Sequence, residues 1–323
     1  MLLALDAGGS TTRALVLAPT GEPLGRAVAG PGNPTAVGVP AALAAWRAAV
    51  EEALARAGRP VTAVAGTVLA AAGSDRPLTA AQIGRHLGLA HPPRRVSDLL
   101  AMFYSAAAQD EGAGLIAGTG SVAARVAGGE LVRAVGGNGW LLGDAGSGFW
   151  IGRLVARAVV DDLDGTGPAT ALTPAVLAAL ELVDDRRPRE GRPFVLGELV
   201  DVVYAADPVA LARLAPHCFA AAGAGDAVAA GIVAAAQDEL AALVRAVAGP
   251  GPLVVGGSVW RRGIEGSAWS PALREALAGR EVAAADDGLL GAAVLALRDT
   301  GVPPADARAA LTAPAAAAPP ARS

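Results

Sequence analysis

The sequence predicts an α/β protein of two similar domains, and a repeated opening pattern carries this prediction. Near the N-terminus stands LLALDAGGSTTRALVLAPTGEPLGRAVAG, which is typical of a strand, a glycine turn with hydroxyl side chains, a strand, a tight turn and a third strand. From residue 114 the same order returns in GLIAGTGSVAARVAGGELVRAVGG. Alternating helical and strand segments follow each opening. We interpret this as an internal structural repeat rather than a strong sequence repeat, with the domain boundary after residue 112.

The elements of the first expected domain, residues 1–112, follow from hydrophobic runs, caps and breakers. Three strands form a meander, and the long helix after them ends at Gly58 and Pro60. A strand of small residues follows, and Thr79 caps the next helix. The expected strands span residues 2–5, 13–17, 24–29, 61–70 and 95–97, and the expected helices span residues 40–57, 79–87 and 98–109.

The second expected domain, residues 113–300, begins with the repeated meander and contains a helical insertion at about 161–248. Its expected strands span residues 114–117, 122–127, 131–135, 253–255 and 281–285, and its helices outside the insertion span residues 144–160, 271–277 and 288–300. Residues 301–323 are rich in Ala and Pro and have few large apolar side chains, which predicts a disordered tail.

Composition excludes several kinds of partner and site. The formal net charge is −4, so no basic surplus indicates nucleic acid or an anionic membrane as a partner. Apolar runs stop short of about 18 residues, which predicts no membrane span. The single cysteine, Cys218, allows no internal disulfide and no cysteine cluster for a metal. A reducing compartment fits, and since no signal peptide is evident, the expected location is cytoplasmic.

The two glycine turns indicate phosphate binding of an unusual kind. The chain contains no lysine, which excludes the P-loop mechanism, and Gly118-Thr119-Gly120 precedes a strand rather than the helix of a dinucleotide fold. Successive backbone N–H groups in such turns form an anion-binding concavity without a cationic side chain. Asp6, at the end of the first strand, could hold Mg²⁺ through water. An ordinary hairpin turn at Gly8-Gly9 is the alternative, and the matching turn in the second half makes it less attractive.

Asp98 and Asp144 are the candidate functional carboxylates. Asp98 follows a predicted parallel strand, where side chains point into the crevice that holds ligands. An acceptor hydroxyl needs a proton acceptor within hydrogen-bond reach, and a carboxylate serves this role. Each aspartate could instead only cap the helix that follows it. Glycines around Asp144 leave room for a ligand near a helix N-terminus, so we expect Asp144 both to cap the helix and to contact a ligand.

The two glycine turns and the segments that contain Asp98 and Asp144 resemble segments of the sugar kinase–actin–heat-shock chaperone ATPase superfamily. Within it, the sequence resembles the N-acetylglucosamine kinase branch, which includes ATPases that activate acyl-CoA reductases and dehydratases. The most specific stretch is GGNGWLLGDAGSGFWIG from residue 136. The resemblance implies two ribonuclease H-like (actin-like ATPase) domains with an interdomain nucleotide cleft and a helical insertion in the second domain.

The resemblance also implies roles for individual residues, with ATP and Mg²⁺ as cofactors. Asp98 would be the catalytic base and would contact the sugar, and Asp6 would serve the metal. The phosphates would bind Gly8, Gly9, Ser10, Thr11, Gly118, Thr119 and Gly120, the adenosine side would meet Gly256 and Gly257, and the sugar would contact Asn33, Ser121, Gly137 and Asp144. Trp140 could line the sugar pocket and Trp260 could lie beside the adenine, although core packing is the simpler interpretation of both.

The expected function is ATP-dependent phosphorylation of an amino sugar, N-acetylglucosamine or glucosamine, at the 6-hydroxyl. Asn138 stands where N-acetylglucosamine kinases place an aromatic residue near the acyl group, so the free and the acetylated amine both stay open. An activator ATPase is the first alternative, but such relatives hold an iron–sulfur cluster through cysteines, and this chain has only Cys218. A sensor ATPase of the same fold is the second. The resemblance alone suggests a homodimer.

Overall fold

The computed structural model describes residues 1–71 and 78–313, and its chain divides into two compact units. The N-terminal unit comprises Met1–Gly112, Ala127–Glu130 and the chain from Ala283 onward. The C-terminal unit comprises Ala113–Val126 and Leu131–Val282. Each unit is built on one five-stranded sheet.

The sheet of the N-terminal unit has the strand order β3-β2-β1-β4-β5. Its strands are Leu2–Ala7 (β1), Thr12–Leu17 (β2), Pro23–Ala29 (β3), Gly66–Ala71 (β4) and Arg94–Ser97 (β5). The meander pairs antiparallel, whereas β1–β4 and β4–β5 pair parallel. The register sets Asp6 opposite Arg13 on β2 and opposite Ala70 on β4. The predicted three-strand opening is therefore confirmed, and the small-residue strand begins at Gly66 rather than at residue 61.

The helices of this unit are Pro34–Val37 (α1), Val39–Ala57 (α2), Ala80–Leu87 (α3) and Asp98–Ala106 (α4), joined later in the chain by two more. Gly58 ends α2 in the left-handed conformation, and Thr79 and Gln82 form a reciprocal capping box on α3, as their sequence signals predict. Leu3 and Leu5 of β1 share a buried apolar cluster with Trp46 of α2. Burying these side chains fixes α2 on the sheet.

The closing helix corrects the predicted domain boundary. The sequence assigns residues 288–300 to the second domain, but the helix Gly288–Arg298 packs on β1, β4 and α4 of the N-terminal unit. A Cβ at Gly291 would lie 1.7 Å from the carbonyl oxygen of Ala101, so only glycine permits this close approach of the two helices. A linear reading of the chain cannot show such a return.

The expected tail is also corrected in part. Pro304–Thr312 forms a helix, Ala307 is fully buried, and Arg308 donates through Nε to the carbonyl of Ser105 at 3.0 Å. Alanine is the best helix former, so a segment that can dock a small apolar face need not be disordered. Residues 314–323 of the predicted tail lie outside the described residues.

The sheet of the C-terminal unit has the order β12-β11-β6-β7-β8, and β6 and β11 pair parallel. These strands are Gly112–Ala117 (β6), Ser121–Ala127 (β7), Glu130–Gly136 (β8), Leu253–Gly256 (β11) and Val282–Ala284 (β12). A two-stranded ribbon, Pro188–Arg189 (β9) with Arg192–Pro193 (β10), stands apart from it. The second meander thus recurs where the sequence repeat predicts it.

All helices of the C-terminal unit except the short Gly139–Leu142, which has no buried residue, form one apolar core with the sheet. The helices of the unit are Gly139–Leu142 (α5), Gly148–Leu163 (α6), Leu172–Ala179 (α7), Phe194–Ala205 (α8), Ala215–Gly223 (α9), Ala227–Ala246 (α10) and Pro271–Leu277 (α11), after which come Gly288–Arg298 (α12) and Pro304–Thr312 (α13) of the other unit. The predicted helical insertion corresponds to α7 to α10 and the end of α6. The predicted helix 144–160 begins later, at Gly148, because Ser147 and not Asp144 caps it.

Helix α10 is long and apolar enough to cross a membrane by length and composition. Seven of its residues are buried, and the amide of Gln237 donates to Ser267 Oγ at 2.8 Å and accepts from the backbone N–H of Ser270 at 2.6 Å. It packs on α6, α9 and α11. A buried core helix can have the same length and composition as a membrane-spanning helix, so we interpret α10 as the central helix of this unit. The prediction that no apolar segment reaches the length of a membrane span does not hold for α10.

Candidate nucleotide site and carboxylate cluster

The first glycine turn, Gly8 to Thr11, closes the β1–β2 hairpin of the N-terminal unit. The N–H of Gly8 donates to the carbonyl of Thr11 at 2.9 Å, and Gly9, Ser10 and Thr11 are exposed. The carbonyl of Gly8 also accepts from the N–H of Gly32 at 3.0 Å. The tip therefore offers backbone N–H groups and hydroxyls at the surface, as an anion-binding turn requires.

Asn33 follows directly in the loop that Gly32 anchors. Its side-chain oxygen accepts from the N–H of Thr35 at 2.9 Å and caps α1. The amide nitrogen of the half-buried side chain has no recorded partner within the described part of the chain. The predicted sugar contact of Asn33 stays a prediction, and the cap gives the residue a structural task as well.

A cluster of charges lies beside this hairpin. Arg13 pairs with Asp6 in a very short contact and with Asp287 at 2.5 Å, and a Cβ at Gly288 would lie 3.1 Å from Asp6 Oδ2. The N-terminus of α12 thus abuts Asp6. Burial raises the pKa of Asp6, while the Arg13 charge opposes that rise. Arg13 and Asp287 were not predicted from the sequence, although the hairpin pattern places Arg13 across the strand pair from Asp6.

Asp98 occupies the first turn of α4, immediately after β5. Ser97 and not Asp98 is the helix cap, because Ser97 Oγ accepts from the N–H of Leu100 at 3.1 Å. The Asp98 carboxylate accepts from the N–H of Leu99 at 2.9 Å and pairs with no cation within residues 1–71 and 78–313. Burial chiefly, and the charge of Asp6 in addition, raise the pKa of Asp98. The capping alternative is therefore wrong for this residue.

The second glycine turn, Gly118 to Gly120, is tied to the start of α6 in the C-terminal unit. The N–H of Gly118 donates to the carbonyl of Gly120 at 2.9 Å. The N–H groups of Gly148 and Phe149 donate to the carbonyls of Gly118 and Thr119 at 2.8 and 3.1 Å. The turn is thereby held at a helix N-terminus, where the backbone dipoles favour an anion.

Asp144 supports this turn from the other side. Its carboxylate accepts from the N–H of Ser121 at 3.2 Å, and a Cβ at Gly120 would lie 2.9 Å from Oδ1. Asp144 is buried and has a positive φ of 59°, a conformation rare outside glycine, asparagine and aspartate. The predicted helix cap is wrong. The Ser121 hydroxyl donates to the carbonyl of Ala145, and the Ser121 carbonyl accepts from the N–H of Gly137 at 2.8 Å. The predicted sugar-contacting residues Ser121, Gly137 and Asp144 therefore lie next to one another.

The glycine pair after β11 reaches the same turn. Gly256 is the last residue of the strand and is buried, and Gly257 has a φ of +96°. A Cβ at Gly257 would lie 2.2 Å from the carbonyl oxygen of Ala117. Gly257 therefore shapes the second glycine turn through backbone packing.

A cavity of about 440 Å³ opens beside Gly118, Thr119 and Gly148. Its remaining wall comes from the insertion and from the segment after β11, and comprises Ala212, Ala215, Pro216, Phe219, Ala220, Ser258, Val259 and Arg262. The volume lies in the range of small-molecule sites, and the apolar wall with one guanidinium suits a heteroaromatic base. These wall residues were not predicted from the sequence, because apolar positions of the insertion carry no signal that distinguishes a cavity wall from the core.

Of the remaining candidates, Trp260 and Cys218 lie in the core, whereas core packing is wrong for Trp140, which is exposed. Trp260 is 2% exposed and its ring lies 6.5 Å from that of Trp269, which confirms core packing. Trp140 is 42% exposed and contacts Phe149 with ring centroids 5.7 Å apart. Cys218 is fully buried, and burial raises the pKa of its thiol to about 12.

Two five-stranded sheets that each open with a glycine-tipped meander define a two-domain ATPase of the actin-like class. The family model of the BadF/BadG/BcrA/BcrD ATPase family matches residues 3–296, and the chain belongs to that family. No curated protein matches the sequence significantly.

Solved structures share the fold. A candidate N-acetylglucosamine kinase from Chromobacterium violaceum is 24% identical with a TM-score of 0.70, over 92% of this chain and 98% of that one. A candidate N-acetylglucosamine kinase from Porphyromonas gingivalis is 21% identical with a TM-score of 0.68, over 94% and 100%. A ROK family glucokinase from Streptomyces griseus, solved with glucose and AMPPNP, is 20% identical with a TM-score of 0.50, over 92% and 99%. At these identities the likeness concerns the fold.

Proposed function

We propose that the protein is an ATP-dependent sugar kinase that phosphorylates an amino sugar, N-acetylglucosamine or glucosamine, at the 6-hydroxyl in the cytoplasm. The observation that carries the proposal is Asp98, a half-buried carboxylate at the end of a parallel strand, beside Asp6 and without a cationic partner in the described chain. An ATPase that only hydrolyses ATP needs to orient a water molecule, whereas transfer to a sugar needs a base beside the acceptor hydroxyl. The kinases that share the fold make sugars the first acceptors to test.

The C-terminal unit supplies the nucleotide pocket in this proposal. The adenine enters the cavity between Phe219 and Arg262, and the phosphates meet the turn at Thr119, since the N–H of Gly118 already donates to the carbonyl of Gly120. The N-terminus of α6, which holds that turn, adds the positive end of its dipole. The chain contains no lysine, so no lysine ammonium assists the backbone N–H groups of the turn in binding the phosphates.

Asp6 is the residue that would serve Mg²⁺. Asp6 and Asp287 both pair with Arg13, Asp287 also pairs with Arg26, and Asp98 adds a third carboxylate, so the local charge is negative and fits a cation. No group of three or more ligating side chains is arranged for a metal among the residues that the structure describes. This agrees with Mg²⁺ that keeps its waters and phosphate oxygens and uses one carboxylate. When bound, the ion neutralises charge on the phosphates.

Asp98 performs the proton transfer. The 6-hydroxyl oxygen attacks the γ-phosphorus, the bond from that phosphorus to the β–γ bridging oxygen breaks, and ADP leaves with the electron pair. The hydroxyl proton passes to the Asp98 carboxylate. Its raised pKa makes Asp98 a stronger base than an exposed aspartate.

The test is ADP release by the purified protein with glucosamine, N-acetylglucosamine, N-acetylmannosamine and glucose. We expect release with an amino sugar and a 6-phosphate product by ³¹P NMR. Asp98→Asn should lower the turnover about 10²- to 10⁴-fold and leave ATP binding intact. Asp299→Asn, which removes an exposed carboxylate paired with Arg94, is the control and should keep full activity. ADP release that needs no sugar and survives Asp98→Asn would instead support the activator or sensor ATPase.

A further inference from the structure

Helices α6 and α8 of the C-terminal unit line an apolar groove of about 370 Å³, which we call the α6–α8 groove. Phe149 and Leu199, which are buried, line it together with the half-buried Val203 and Leu211. Among the described residues, none lines both this groove and the cavity beside the second glycine turn. The groove is therefore separate from the proposed nucleotide pocket.

Two guanidiniums lie at the solvent side of this groove. Arg153 and Arg157 line it and are exposed, and they lie one turn apart on the same face of α6. Neither side chain has a hydrogen bond or an ion pair within residues 1–71 and 78–313. No aspartate or glutamate of that described part of the chain lines the groove. Its mouth therefore carries two positive charges that the lining does not neutralise.

The depression on the other side of α8 has a different charge pattern. Glu198 and Asp201 line that depression, but Arg189 and Arg192 line it as well. Its charges are mixed, whereas the charged side chains that line the α6–α8 groove are arginines alone. An anion is thus selected by the groove and not by its neighbour.

We propose that the α6–α8 groove binds an apolar monocarboxylate. The hydrocarbon chain or ring lies against Phe149 and Leu199, and the carboxylate lies at the guanidiniums of Arg153 and Arg157. The planar guanidinium forms paired, charge-assisted hydrogen bonds with a carboxylate, and removal of the hydrocarbon from water adds to the affinity. The proposal is independent of the sugar kinase activity.

The size and the walls of the groove favour this class of ligand over others. A volume of about 370 Å³ lies in the range of small-molecule sites, which are mostly apolar and carry a few polar groups that orient the ligand. A sugar phosphate would also satisfy the two arginines. Its hydroxyl groups, however, would meet apolar walls without hydrogen-bond partners, which costs free energy.

The experiment is calorimetric titration of the full chain with octanoate, and with octanamide as its uncharged match. Octanoate should bind with one site per chain and a Kd of roughly 1 mM or below. Octanamide should bind at least about 10-fold more weakly, because it lacks the charge that the guanidiniums recognise.

Arg153→Gln/Arg157→Gln should raise the Kd for octanoate at least about 10-fold. The urea midpoint should not change, since both side chains are exposed and without ion pairs among the residues described. Arg59→Gln/Arg85→Gln removes two exposed arginines of the N-terminal unit and should bind octanoate like the wild type. Ala220→Trp, at the wall of the other cavity, should also bind it normally.

Cysteine protection locates the ligand. Octanoate should slow the alkylation of Val203→Cys by iodoacetamide, because this position lines the groove, and should not slow that of Ala224→Cys at the exposed end of α9. Cys218 does not interfere, since it is fully buried and burial raises the pKa of its thiol to about 12.

Four results would each overturn the proposal. These are equal affinity for octanoate and octanamide, an unchanged Kd in Arg153→Gln/Arg157→Gln, equal alkylation of Val203→Cys with and without octanoate, and no saturable binding up to about 10 mM. The last result would leave the groove to an acidic segment of another protein.

Discussion

Asp6, at the end of β1, lies near enough to Asp98, at the start of α4, for its charge to add to burial, the main cause, in raising the pKa of Asp98, although almost the whole N-terminal unit separates the two in sequence. Parallel pairing of β1 with β4 and of β4 with β5 brings the carboxyl ends of β1 and β5 to one edge of the sheet. Asp6 is meanwhile bound to Arg13, and Asp98 has no such cation among the residues described. One carboxylate is therefore neutralised and the other stays available as a base.

The pH dependence of activity should report Asp98. Because burial and Asp6 hold its pKa above the usual 3.8, kcat/KM should fall on acidification at a midpoint above 3.8.

The free energy of unfolding should depend on pH in the opposite sense. The folded state binds the Asp98 proton more tightly than the unfolded state, so the stability that Asp98 contributes is present below pH 3.8 and is lost as the pH rises through the folded pKa. Asp98→Asn should thus be more stable than the wild type at pH 7, by urea denaturation. A variant less stable at pH 7 would contradict this reading of the carboxylate.

Arg13→Gln should destabilise the N-terminal unit by about 1 to 3 kcal/mol at pH 7, since Asp6 and Asp287 would lose their common cation while partly buried. Arg56→Gln is the matched control: its pair with Glu52 is exposed and one helical turn apart, so the loss should be at most about 0.5 kcal/mol. Urea unfolding of both variants measures the difference. Equal losses would mean that Arg13 serves no special role.

Gly257→Ala should cost about 3 kcal/mol of stability and weaken ATP binding, because its φ of +96° is strained for alanine and its Cβ would meet the Ala117 carbonyl at 2.2 Å. Gly231→Ala, inside α10 with open space around its Cβ, should stabilise by about 1 kcal/mol. Urea unfolding and ATP titration followed by calorimetry test both changes. Normal nucleotide affinity in Gly257→Ala would argue against the role of the glycine pair.

Ala220→Trp should fill the cavity beside the second glycine turn. Ala220 is exposed at its wall, so the indole can enter the cavity from the surface, and the Kd for ATP should rise at least 10-fold with little change in stability. Ala224→Trp lies at the exposed end of α9 outside that wall and should leave binding unchanged. If the two variants bind ATP with equal affinity, the adenine binds outside this cavity.

Much of the fold was predictable, because its signals are local. The meanders follow alternating apolar strands and turn residues, α2 ends at Gly58, and α3 begins at a capping box. The boundary of the closing helix was not, because its return to the N-terminal unit depends on the close contact of Gly291 with Ala101. Asp144 was misread as a cap because a capping aspartate and one that accepts from a distant N–H share the same sequence context.

The sequence by itself determined the class of chemistry. Two glycine turns at matching points of a repeat predict a phosphate site built from backbone groups, and an aspartate after a strand is the candidate base. Only the tertiary structure decided what surrounds them: Arg13 and Asp287 beside Asp6, Phe219 and Arg262 in the cavity wall, and the groove between α6 and α8. The physical reason is that turns, caps and periodicity act over a few residues, whereas charge pairing, cavities and exposed faces arise when distant segments pack.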